Sequence, residues 1–349
     1  MMNYTGLYTA YKLNRPLTEK EQEGRFCQAK RRRVNIINDE ASVIRMNSTY
    51  LETVCKYYHG TGVSSSLIFI LALGIFLSFC FVFFEPIFDY IAYGTQFSMV
   101  GFFLSILVVI VSLFFISKLL QKEWFRKTHY PMRFNRINQM VYVYKVNGEI
   151  LSVPWKDIFF TPAKSLGRTS EWGIDGHILA EDGETVLDTF SLAVSLTAGK
   201  KLLGEYWEFI RCYMEEDCVQ ELSELVTLCP PVEKQKEGYI FGLQYLMKMD
   251  SRLEWIFLPV MFPLDLLASF ARYIAMQTSK IPQWSQEVLD ACQPEGDDPV
   301  NVSAANNPEH LWRYVLANEK RDVYEARYAR QKAAYERIKA KLAARYEKV

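Results

Sequence analysis

The sequence predicts an α+β membrane protein: a transmembrane helical hairpin, then a small antiparallel β domain closed by a helix, then an α-helical C-terminal region. Three observations carry that reading. Two apolar runs, 65–84 and 97–117, contain no charged residue. Residues 131–193 turn to short β-branched and aromatic runs punctuated by Asn147-Gly148 and Asp182-Gly183. Beyond residue 196, apolar residues recur at three- and four-residue intervals.

The apolar runs come first in the argument. A helix rises about 1.5 Å per residue, so roughly 20 residues cross a hydrocarbon core of about 30 Å. Both runs, within 65–120, reach that length and consist mainly of Leu, Ile, Phe and Val. Arg45 and Lys56 precede them, and Lys118, Lys122, Arg126, Lys127, Arg133 and Arg136 follow. The loop 85–96 holds Glu85 and Asp89 but no Lys or Arg. The positive-inside rule therefore predicts a two-pass protein of a plasma membrane with both termini cytoplasmic. Neither run contains an ionisable residue of the kind that marks a transport path, which makes the hairpin an anchor.

Composition narrows the classes further. Forty Lys and Arg balance forty Asp and Glu, so nothing in the net charge predicts nucleic acid as a partner. The charges are nevertheless segregated: Lys30–Arg33 is basic, 205–224 is acidic, and the tail is basic again. Seven scattered cysteines with no CxxC spacing fit a reducing compartment and no metal site. No signal peptide is expected, because the first apolar run begins some sixty residues in.

In chain order, 1–64 reads as a polar cytoplasmic segment. Tyr4, Leu7, Tyr8, Tyr11 and Leu13 suit a weak strand or short helix, and Ile44 to Tyr57 a short helix leading into the bilayer. Arg31, Arg32 and Arg33 are candidate contacts to anionic lipid or a partner, with a solvated positive face as the plainer reading. Trp124, Arg126 and Lys127 sit where interfacial residues are expected after the second run.

Met140–Val146 has strand character, and Asn147-Gly148 predicts a type I′ hairpin turn. The return strand is 150–155, with Pro154 marking an edge or bulge. Strands at 158–161, 170–175, 177–180 and 185–190 follow, the last two joined at Asp182-Gly183. Leu202, Leu203, Tyr206, Trp207, Phe209, Ile210 and Tyr213 then form an apolar stripe suited to covering the sheet, continuing to Val226. The β-plus-helix domain spans 131–229.

Arg133-Phe-Asn-Arg136, Val141-Tyr-Val-Tyr144, Asn147-Gly148 and Val153-Pro-Trp-Lys-Asp-Ile158, placed after two membrane helices, resemble the bacterial pleckstrin-homology-like membrane proteins. They are also similar to a proteobacterial family of two-pass inner-membrane proteins often encoded near type VI secretion effectors. The resemblance covers roughly 60–230 and implies a PH-like fold with Tyr142, Tyr144, Trp155, Ile158 and Phe190 in its core or sheet. For function it implies an accessory or immunity protein whose partner is a toxin.

Residues 230–292 read as helical. The segment 255–276 is apolar enough to raise a third crossing, but Pro259, Pro263, Asp265 and Arg272 argue against it. From Pro263, Leu266, Leu267, Phe270 and Ile274 share one face while Asp265, Ser269 and Arg272 share the other. That predicts an amphipathic helix at the membrane surface or on the β domain, with Asp265 and Arg272 as candidate contacts. A linker, 293–307, leads to a basic helix over 308–349 that is either solvated or docked on a partner or anionic lipid.

No phosphate loop, nucleophile elbow or zinc-binding helix motif occurs, and the histidines at 59, 129, 177 and 310 lie apart. His177 beside Asp175 reads as a turn residue before a general base. The expectation is a non-enzymatic, membrane-anchored binding or adaptor protein with no cofactor or metal, taking membrane lipid and a protein as partners and with homo-oligomerisation open. The alternatives are a lipid-binding module, or a subunit of a transporter or enzyme that uses 255–276.

Overall fold

The computed structural model describes residues 6–7, 9–94, 99–164, 171–194, 200–250, 258–308 and 320–346. Along them run β1 (Arg15–Pro16), α1 (Glu19–Glu23), β2 (Val43–Asn47), β3 (Tyr50–Thr53) and α2 (Lys56–Gly60). The apolar helices α3 (Val63–Tyr93) and α4 (Met99–Leu120) come next. After them lie β4 (Met132–Asn135), β5 (Met140–Tyr144), β6 (Ile150–Pro154), β7 (Ile158–Lys164), β8 (Trp172–Leu179) and β9 (Thr185–Ser191). The remainder is α5 (Lys200–Glu215), α6 (Val219–Leu225), α7 (Tyr239–Asp250), α8 (Leu258–Thr278), α9 (Gln286–Ala291), β10 (Asn301–Ser303) and α10 (Arg321–Tyr346).

The strands form two sheets, ordered β1-β9-β8-β7 and β10-β2-β3-β4-β5-β6, and every pairing is antiparallel. This overturns the expected hairpin followed by a small PH-like domain. Tyr50 pairs with Asn135 and Thr53 with Met132, so α3 and α4 are inserted between two neighbouring strands of one sheet. The first sixty residues, expected as a separate segment, supply β1, β2 and β3, and residue 301 onward supplies an edge strand. The helix expected over 44–57 is instead two strands and the short α2. Val43, Ile44, Met46 and Leu51 alternate poorly for a strand because they are covered on both sides.

The chain divides into two compact units: 1–60 with 127–237 and 281–349, and 61–126 with 238–280. In the first, the core is aromatic. Trp155 stacks on Trp207 with centroids 5.6 Å apart, and Phe160 and Phe26 lie 4.9 and 5.3 Å from Trp207. Trp207 comes from α5, whose predicted stripe is buried from Leu203 to Tyr213. The stripe does not run on unbroken: α5 ends at Glu215 and α6 begins at Val219.

The predicted hairpins form, with differences. Only Gly148 has positive φ at the first turn, and its amide donates to the Lys145 carbonyl while the Lys145 amide donates to Glu149. The turn is therefore a three-residue loop with a glycine bulge in place of type I′. The strands expected at 170–175 and 177–180 are one strand, β8, with His177 inside it.

In the second unit, α3 packs on α4 and α8, and α7 packs on α8. Gly62, with φ +95°, opens α3 where a Cβ would collide with the Ala268 carbonyl and Arg272. The segment Lys56–Phe81, 26 residues that include an 18-residue stretch of mean hydropathy 2.3, is long and apolar enough to cross a membrane by length and composition. Among the described residues it is the one such helix. The apolar stretch found within α4, Ile106–Leu120, is shorter. The expected two-pass topology is thus not supported, and Glu85 and Asp89, expected in a loop, lie within α3.

Candidate anion-binding cleft

The acidic and basic blocks read separately in the sequence meet in the first unit. Along α10, Ala334, Ile338 and Leu342 recur every four residues and are buried. That stripe lays the helix against α6. Its cations then reach the acidic block: Arg337 to Glu224 at 2.6 Å, Lys341 to Glu221 at 2.8 Å and Arg345 to Glu216 at 2.8 Å. The tail's charge is therefore largely spent within the chain. Val323, Tyr324 and Tyr328, near the N-terminal end of α10, remain exposed.

Where α10 passes the Arg31–Arg33 segment, a cleft of about 330 Å³ opens. Tyr335 holds one wall, its hydroxyl donating to the carbonyls of Val34 (3.2 Å) and Asn35. Arg31, Arg32, Arg33 and Lys339 supply the cations, and Ile37, Ile338 and Leu342 are among the apolar lining. Lys339 lies 4.4 Å over the Tyr335 ring. Arg32 is partly committed: its guanidinium sits 4.1 Å over Phe26 and donates to the Arg25 carbonyl. Arg31 and Arg33 have no carboxylate partner among the described residues.

Glu208 also lines the cleft, but its charge is answered from behind. Buried Arg211 bonds it at 2.9 Å and bonds Glu216 at 2.7 Å, while the Arg32 amide donates to Glu208 Oε1 at 2.8 Å. With Glu208 neutralised, the field in the cleft is positive. An anionic group with some apolar surface is the chemistry that fits it.

The remaining sequence candidates lie elsewhere. Trp124 is half-buried and Arg126 exposed after α4, with the Arg126 amide donating to Ser279 Oγ at 3.2 Å. Lys127 lies 5.5 Å over the Tyr144 ring. Asp265 and Arg272, expected at a membrane surface or partner contact, are buried instead. Arg272 donates to the Thr61 carbonyl at 3.3 Å and lies 5.1 Å over the Tyr245 ring.

A second polar cluster escaped the sequence reading. Lys56 Nζ donates to Ser191 Oγ at 2.8 Å, Tyr11 Oη lies 2.8 Å from the same oxygen, and Ser191 bonds Asp175. The arrangement is a cross-link between α2 and β9. Nearby His177 bonds Thr189 Oγ1 at 2.8 Å, and burial lowers its pKa. Glu21, 3.5 Å from His177, would be raised by burial, but hydrogen bonds from Arg15 and Thr18 bring it down to about 2. Among the described residues no His, Cys, Asp and Glu group is able to hold a metal ion.

No curated protein and no solved structure matches the chain. Residues 106–295 match a family of unknown function, DUF6708. That match covers the β4–β9 strands, α5 and the helices α7 and α8, more than half of the 349 residues, and the chain belongs to this family.

Proposed function

We propose that this chain is a non-enzymatic, membrane-anchored binding protein whose cleft holds an acidic, partly apolar segment of a protein partner at the cytoplasmic face of a bacterial inner membrane. The observation that carries the reading is the cleft itself, with Arg31 and Arg33 lacking carboxylate partners beside the apolar wall of Ile37, Ile338 and Leu342. A long exposed apolar helix supports the anchoring.

The test is binding of a short labelled peptide of alternating Glu and Leu to the full-length protein. Binding is expected to weaken as salt is added and to fall roughly a hundredfold in the double variant Arg31→Glu, Arg33→Glu, about tenfold for each charge. Unchanged binding in that variant overturns the assignment of the cleft.

A further inference from the structure

Helix α8 is built inside out for water. The buried stripe of Leu258–Thr278 is Asp265, Ala268, Ser269, Ala271, Arg272, Ala275 and Met276, with Ser269 and Arg272 fully buried. The outward face carries Phe262, Leu266 and Phe270, which expose from 37% to 55% of their surface, and Tyr273 at 38%, and Leu264 on another side is 48% exposed. In water both faces are wrong. A polar stripe is withdrawn from solvent, and four large apolar side chains are left in it.

The inversion is held by close packing within the second unit. Only glycine fits at position 62, where α3 meets the Ala268 carbonyl and Arg272. The Arg272 guanidinium is satisfied by the Thr61 carbonyl and the Tyr245 ring, while Tyr239 of α7 meets Tyr273 edge-on at 6.2 Å. A small-residue seam with its polar groups facing inward is how helices associate in lipid. Pro263 inside the helix is tolerated in the same setting.

We propose that the Phe262–Leu266–Phe270 face of α8 contacts lipid acyl chains, so that the membrane-embedded part of this protein includes α8 beside the apolar α3. The occupant follows from continuity. α8 packs directly on α3, whose Leu67, Phe69, Leu71 and Phe76 are more than half exposed. The α8 face extends that uncharged wall without an intervening charged side chain among the three. The inference goes beyond the cleft and stands or falls independently of it.

The experiment places a photoreactive benzoylphenylalanine at Leu266 or Phe270 of the full-length protein in nanodiscs of phosphatidylethanolamine and phosphatidylglycerol. Irradiation is expected to give lipid adducts at both positions, read by intact mass. Adducts to a second chain, or no adduct at either position, overturn the proposal. A second measurement uses Phe270→Lys. A lipid-facing residue predicts a fall of roughly 5 °C in Tm in the same nanodiscs. A Tm that is unchanged or raised is the outcome for a water-facing residue, and it equally overturns the proposal.

Discussion

Helices α5 and α8 carry the same kind of pattern and resolve it in opposite directions. In α5, Leu203, Tyr206, Trp207, Phe209 and Ile210 are all 0% exposed. In α8 the corresponding large residues face out and the small and polar ones face in. Each helix also buries an arginine completely. Arg211 pairs with two carboxylates, and Arg272 donates to the Thr61 carbonyl and lies over the Tyr245 ring. Amphipathic spacing fixes that a helix has two environments, not which of them is the protein. The interior takes the apolar face when water lies outside, and the polar face when lipid does.

The widest gap between the two helices should appear on truncating one large residue in each. Trp207→Ala removes the centre of the aromatic core and is expected to cost about 3–5 kcal/mol. Phe270→Ala, with no packed core around it, should stay within about 0.5 kcal/mol. Comparable losses in thermal unfolding of the two variants would erase the distinction drawn between the helices.

Next in size is Arg211→Met, which leaves Glu208 buried without its counter-ion and Glu216 with Arg345 alone. A loss of about 3 kcal/mol is expected, together with easier proteolysis of α10, because Arg345 and Tyr346 dock on the same Glu216. A variant as stable as the parent with its tail still protected would show that this buried charge, unlike the aromatic core around it, is dispensable.

A smaller, pH-dependent effect belongs to His129, whose pKa burial lowers to about 3. The folded state keeps the ring neutral, while the unfolded chain protonates it below about 6.5. Stability is therefore full above that value and declines as pH falls toward 3, by up to about 1.4 kcal/mol per pH unit. His129→Gln should flatten that part of the profile, and an unaltered slope would count against a buried neutral histidine. The smallest effect is Arg337→Ala at the half-exposed pair with Glu224, worth under about 1 kcal/mol in the same unfolding assay and less in high salt.

Much of the first unit was legible because its signals are local. The α5 stripe, the Met140 strand and both glycine turns sit within a few residues of one another, and each formed. Other features depend on partners far away in sequence. β3 reads poorly as a strand by itself, and its mate β4 lies beyond the inserted apolar helices. The cleft needs Arg31–Arg33 beside Tyr335, about three hundred residues away. Its ingredients were visible as a basic cluster, an acidic block and a basic tail, yet charge alone did not reveal that the tail's cations would pair with the block. The Lys56–Ser191–Asp175 cluster gave no advance signal, since Lys56 lies far in sequence from the β8–β9 pair that supplies the other two.

What the sequence by itself determined is the set of segments able to be helix or strand, the apolar character of α3, and the two faces of α8. Those follow from periodicity and transfer free energy, which each segment carries alone. Only the tertiary structure decided that the apolar helices interrupt a sheet, that the basic tail folds back on the chain's own acids, and which face of α8 is hidden. Each of these is a choice among partners, and its free energy depends on what the rest of the chain and its surroundings place on the other side.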